Sequence, residues 1–119
     1  MIAPARPKPL VYVVDVDRSG YAFADDPRSG VTTRFFDGAA AALRCRADTP
    51  PALWLINQEL PEMSGTDLLE LLGRRSRCPV GIVTRDYDPQ AEIAARTAGA
   101  TFYLAKPVSD MFLPRPVAA

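Results

Sequence analysis

Four short apolar stretches of this chain each end in polar residues that can do chemistry. Asp15 and Asp17 follow the first, Asn57, Gln58 and Glu59 a second, Thr84, Arg85 and Asp86 a third, and Lys106 the last. Any one of them is ordinary loop chemistry. Taken in this order and spacing, they gather acids, an amide, a hydroxyl and a lysine at one end of the molecule. Arg85, Lys106 and the Asn57 amide together make a set that suits an anionic small ligand held without a metal. Histidine is absent. That removes Ser-His-Asp and Cys-His catalysis, histidine-zinc sites and a phosphohistidine carrier role.

Positioning such a set requires elements. Five runs, residues 10–14, 32–36, 52–56, 80–83 and 101–105, read as strands, and the first, third and fourth are almost continuously apolar. Strands buried on both faces look like that. Helices are expected between them. Asp37 would cap one running to about Cys45. Ser64 and Asp67 would open one bearing Leu68, Leu69, Leu71 and Leu72 and ending near Gly73. Asp88-Pro89 would open another, stopped by Gly99. Residues 18–26 form a shorter candidate helix, cut by Gly20 and Pro27, and Val108–Leu113 at most a turn or two before Pro114 and Pro116. Alternation of strands and helices predicts an α/β, flavodoxin-like, doubly wound parallel sheet of five strands in the order 2-1-3-4-5, with its last helix shortened or missing. Its functional crevice lies at the carboxyl ends of the strands. The expected organisation is a Pro-rich tail at 1–9, a domain at 10–113 and a Pro-containing tail at 114–119.

Two segments carry a family resemblance. Leu55-Ile56-Asn57-Gln58-Glu59-Leu60-Pro61-Glu62-Met63-Ser64-Gly65 and Tyr103-Leu104-Ala105-Lys106-Pro107, with Val83-Thr84, resemble the receiver domain of two-component response regulators over residues 9 to 112. The resemblance implies a phosphoryl group taken from a histidine kinase onto an aspartate carboxylate. It also implies Mg²⁺ held by two acids after the first strand, and phosphoryl oxygens bound by a hydroxyl and a lysine. By position, Asp15 matches the first acid, Thr84 the hydroxyl, Lys106 the lysine and Tyr103 the switch aromatic paired with Thr84.

The departures point one way. Asn57 stands at the phosphoacceptor position, and an amide is a poor nucleophile. Val16 stands where the second metal-binding acid belongs, so no metal or other cofactor is expected, and any residual Mg²⁺ contact falls to Asp15 and Asp17. Arg85 replaces a small residue. It is expected to cover the pocket, to pair with Asp15, Glu59 or Asp86, or to point to solvent. Lys106 is expected to hydrogen-bond Asn57 or pair with Asp15. The stunted last helix predicts exposed apolar surface at Leu104, Phe102 and Val13.

These features read as a degenerate receiver, a pseudo-receiver, that is no enzyme and works through protein–protein contact in signal transduction. The expected partners are a protein or an attached output domain, with homodimerisation through the family's helix 4, strand 5 and the C-terminal region. Two other readings stay open: phosphorylation on another acid, Glu59 or Asp17, and an anionic small-ligand sensor. The 119 residues carry 14 basic and 14 acidic side chains, so bulk charge indicates neither nucleic acid nor membrane as partner. No apolar run approaches a membrane span. Cys45 and Cys78 suit a reducing, cytoplasmic setting without a disulfide.

Overall fold

A computed structural model of the chain describes residues 8–45, 50–73 and 78–114. Five parallel strands form one sheet in the order β2-β1-β3-β4-β5. They are β1 (Leu10–Val14), β2 (Thr32–Phe36), β3 (Leu53–Asn57), β4 (Val80–Thr84) and β5 (Phe102–Ala105). The order and direction are those expected. The three central strands are buried on both faces, and the more polar β2 lies at an edge. Side chains of successive residues point to opposite faces, so each strand feeds two cores.

One face carries Tyr12 and Val14 of β1, Trp54 and Ile56 of β3, and Ile82 of β4. Three helices cover it: α1 (Ala39–Arg44), α2 (Gly65–Gly73) and α3 (Pro89–Thr97). They contribute Ala39 and Ala42, then Leu68, Leu69 and Leu72, then Ala95. Two helices start as their sequences foretold. Ser64 Oγ accepts the Asp67 amide at 3.1 Å, and the Asp88 carboxylate accepts the Gln90 amide at 3.0 Å.

Helix α1 starts differently. Asp37 does not cap it; the cap residue is Gly38, with no capping side chain of its own. Instead the Glu62 carboxylate reaches from the loop after β3 and accepts the Ala39 and Ala40 amides, each at 2.9 Å. Asp37 is exposed and lies 3.7 Å from Arg18. A cap from 23 residues away does the work that the local acid was expected to do.

The opposite face, with Val11, Val13, Leu53, Leu55, Val83 and Leu104, has no α-helix over it among the described residues. The candidate helix at 18–26 is instead two short 3-10 turns, Ala22–Asp25 and Pro27–Ser29. The C-terminal segment holds one more turn, Asp110–Phe112. These segments suffice as a cover because of their side chains. Tyr21, Phe23, Val31, Val108 and Leu113 pack onto the sheet, with Phe35, Phe102 and Phe112 beside them. The expected exposure of this face is therefore corrected. Val13 and Leu104 are buried and Phe102 is partly buried against Phe112, with ring centroids 5.4 Å apart. Bulky aromatic side chains on short turns take over the burial that helices usually supply.

Candidate functional site

Backbone bonds extend the ladder just past the strands and align their ends. The Asp15 amide donates to Phe36 O (3.0 Å), Gln58 to Val83 O (2.8 Å) and Lys106 to Thr84 O (2.8 Å). Asp15, Asn57, Thr84 and Lys106 are thereby brought to the carboxyl ends of four adjacent strands. The loop after β3 closes tightly over this edge. The Gly65 amide donates to Gln58 O at 2.9 Å, and a Cβ on Gly65 would collide with the Asn57 carbonyl oxygen. The glycine of the motif is there so that α2 can begin against the backbone of residue 57.

Asp15 is the centre. It is 2 % exposed, and four donors converge on its carboxylate. Its Oδ2 accepts the Tyr21 hydroxyl at 2.7 Å and the Asn57 amide Nδ2 at 2.9 Å, and pairs with the Lys106 ammonium at 2.8 Å. Its Oδ1 accepts the Asp17 amide at 2.9 Å. Burial alone pushes this carboxyl up, but Lys106, Asn57, Tyr21 and the Asp17 amide together hold it below the usual carboxylate range. The Tyr21 phenol is pushed far above its ordinary value by burial and by the Asp15 carboxylate beside it.

Of the alternatives for Lys106, the pairing with Asp15 is the one present. The ammonium also donates to Asp17 O at 3.0 Å and lies 4.9 Å from the Tyr21 ring centroid. Asn57 spends both ends of its amide. Its Nδ2 goes to Asp15, and its Oδ1 accepts the Glu59 amide at 2.7 Å.

Of the other residues singled out, Asp17 borders this cluster, its carboxylate 4.0 Å from the Lys106 ammonium, and the rest stand apart from it. Thr84 turns its hydroxyl to Asp86 O at 2.9 Å. Asp17 and Glu59 are exposed, and the Asp17 carboxylate accepts the Ser19 amide at 2.9 Å. Hydrogen bonds from Ser19, with smaller help from the charges of Lys106 and Arg85, pull the Asp17 carboxyl down. Arg85 is exposed and pairs with none of Asp15, Glu59 or Asp86 among the described residues; the charge it acts on is Asp17. Val16 is 58 % exposed. Tyr103 is buried, its ring edge-on to Tyr87 at 5.7 Å, and its hydroxyl has no hydrogen-bond partner among the described residues.

Reading the sequence missed Tyr21. It lies six residues beyond Asp15 in a stretch that passes for helix, and nothing in its spacing announces a hydroxyl aimed back at the carboxylate. The Glu62 carboxylate was missed for the same reason, because its partners are distant in the chain.

A divalent cation such as Mg²⁺ takes about six oxygen ligands. Here the Asp15 oxygens are engaged by four donors, the Asn57 carbonyl oxygen by the Glu59 amide, and Val16 offers no oxygen. The position facing Asp15 holds an ammonium. This donor set does not fit Mg²⁺. Cys45 and Cys78 form no disulfide. Among the described residues no helix is long and apolar enough to cross a membrane.

Comparison with known proteins agrees with this architecture. The Transcriptional regulatory protein KdpE of Mycobacterium tuberculosis is 38 % identical over 77 residues, which cover 64 % of this chain and 34 % of that protein. The match thus takes in about a third of the length of this curated relative. The response regulator receiver domain protein (CheY-like) from Methanospirillum hungatei superposes with a TM-score of 0.72 at 25 % identity, over 87 % of this chain and 86 % of the other. The Francisella response regulator 1452 receiver domain gives 0.72 at 24 %, over 87 % and 88 %. The family model for the response regulator receiver domain matches residues 21–115. With the five-stranded order and the strand-end crevice already in place, the match over most of its length assigns this chain to the response regulator receiver domain family.

Proposed function

We propose that this receiver domain is a pseudo-receiver: it takes no phosphoryl group at position 57 and signals through protein–protein contact. The observation that carries the reading is the state of Asn57. The group at the acceptor position is an amide whose nitrogen donates to Asp15 and whose oxygen accepts from Glu59. It lacks the negative charge of a carboxylate, and a neutral amide is a poor nucleophile toward phosphorus. The hydroxyl and lysine that would receive phosphoryl oxygens are engaged too, by Asp86 O and Asp15.

Phosphorylation on Glu59 or Asp17 is the less favoured reading. Both are exposed, Glu59 two residues beyond the strand-end position and Asp17 on the loop after β1. An anionic-ligand sensor is also less favoured, because the Lys106 charge is already neutralised by Asp15. The contact surface is proposed to include the exposed apolar side chains Tyr87, just before α3, and Ile93, on the outer face of α3, with Met111 of the turn after β5. Residues 10–113 act as the folded unit in the cytoplasm, attached to or docked on an output domain, with homodimerisation through α3, β5 and the C-terminal region as one arrangement.

The test is incubation with acetyl phosphate or phosphoramidate and Mg²⁺, read by intact mass beside an aspartate-bearing receiver. The expected outcome is no phosphoryl adduct on this chain under conditions that load the control. Efficient uptake on any carboxylate would overturn the reading.

A further inference from the structure

We infer that the Lys106 ammonium is the resident cation of this crevice, built in where a divalent metal would otherwise neutralise the acids. The inference rests on the pseudo-receiver reading and deepens it. Four partners surround the charge: the Asp15 carboxylate at 2.8 Å, the Asp17 carbonyl at 3.0 Å, the exposed Asp17 carboxylate at 4.0 Å and the face of Tyr21 with its centroid at 4.9 Å. The Lys106 side chain is only 13 % exposed, and that of Asp15 3 %.

The loop after β1 is shaped to this lysine. Gly20 adopts φ +86°, and a Cβ there would lie 2.9 Å from Lys106 Cδ, so the aliphatic stem runs against bare backbone. The same glycine accepts the Val108 amide at 2.9 Å. Tyr21, the next residue, puts its ring against the ammonium and its hydroxyl on the carboxylate that the ammonium neutralises. Residues 15–21 thus wrap the lysine on several sides and are fastened to the segment that follows it.

A divalent ion entering here would have to displace Lys106, Tyr21 and Asn57 from one oxygen of Asp15. It would strand an ammonium in a nearly closed site. It would find no second carboxylate at position 16. The exchange of one built-in charge for a hydrated ion that gives up its waters reluctantly is unfavourable. The crevice therefore keeps one arrangement whatever the Mg²⁺ concentration, and the loop 15–21 stays tied to residues 106–108.

The experiment uses the whole chain, with Mn²⁺ as a paramagnetic probe of divalent binding and thermal unfolding as the readout of the ion pair. In wild type, Mn²⁺ up to about 10 mM should leave the amide signals of Asp15, Asn57 and Lys106 no more broadened than the exposed acids, and Mg²⁺ should not raise Tm. Lys106→Met should lower Tm by about 10 °C or more, because it leaves a buried carboxylate without its cation. Asp15→Asn combined with Lys106→Met should recover at least half of that loss, since a neutral amide needs no counter-charge. Saturable, selective broadening in wild type overturns the inference. So does an unchanged Tm in Lys106→Met, or a double variant less stable than the single one. Should Lys106→Met fail to fold, the wild-type titration and the double variant still decide. A phosphoryl adduct on wild type would sink the pseudo-receiver reading itself, whereas divalent binding without an adduct sinks only the resident-cation inference.

Discussion

Tyr21 tests the centre of the site with the smallest chemical change. Tyr21→Phe keeps the ring beneath Lys106 and removes the hydroxyl from Asp15. It should cost about 1.5–3 kcal/mol in urea unfolding, the range for a hydrogen bond to a charged acceptor. The opposite change adds a charge. Asn57→Asp sets a second carboxylate where an amide now donates to Asp15 at 2.9 Å, with one ammonium to serve both. It should destabilise the fold by roughly 1–3 kcal/mol at pH 7 and by less near pH 5, where one of the pair takes a proton. Amide shifts should show that this single variant still gains little affinity for Mg²⁺, because Val16 supplies no oxygen. The pH dependence of wild type follows from the same cluster. The Asp15 carboxyl is held below its ordinary value of 3.8, so its contribution to stability is present above about that pH and is lost as pH falls further. The Tyr21 phenol is raised above its ordinary 10.0, so its contribution is present below pH 10 and is lost as pH rises beyond it. Urea midpoints measured across pH should fall at both ends, and the alkaline loss should be smaller in Tyr21→Phe.

Elements depend on caps of two kinds here. Asp88 is local: it lies beside Pro89 at the first helical position, and the structure uses it as its spacing foretells. Glu62 is distant: it binds the first two amides of α1 from the loop after β3, and so ties the neighbourhood of Asn57 to a helix that follows β2. Glu62→Ala should cost about 1 kcal/mol, comparable with losing a side-chain cap, and Glu62→Gln should recover part of it because one amide oxygen can still accept. Hydrogen exchange should show the loss at Ala39 and Ala40, far in sequence from the substitution. A local cap is visible in the order of residues. A cap made across 22 or 23 positions is not, because only the packed sheet brings the loop to the helix.

For the molecule as a whole, the two faces of the sheet are built unequally. Three α-helices cover one face, and short turns carrying Tyr21, Phe23, Val108 and Leu113 cover the other among the described residues. The second cover has few side chains to spare. Phe23→Ala should destabilise by about 3–5 kcal/mol, the usual cost of deleting a buried ring. An outer-face change such as Ile93→Ala should shift the urea midpoint little, since Ile93 is 67 % exposed. If Ile93 belongs to the contact surface, its replacement should instead weaken association, read by sedimentation of the chain with its partner or with itself.

The residue order by itself determined the five strands, their parallel 2-1-3-4-5 arrangement, two of the three helix starts and the set of residues at the strand ends. The strands and helix starts follow from apolar runs and turn punctuation, which are local properties of a chain, and the order from the alternation of strands with helices. The departures at positions 16 and 57 were legible too, but only against the receiver resemblance, which implies a carboxylate at each. Only the tertiary structure decided which partners the survivors take. Lys106 goes to Asp15 rather than to Asn57, Thr84 turns to its own loop, Arg85 remains outside, and Tyr21 enters the cluster from a segment that read as helix. It also decided that the sheet face without an α-helix among the described residues is covered by short turns and loop side chains. The central outcome is a competition among Tyr21, Asn57 and Lys106 for one buried carboxylate, and the order of residues along the chain does not record which groups reach it.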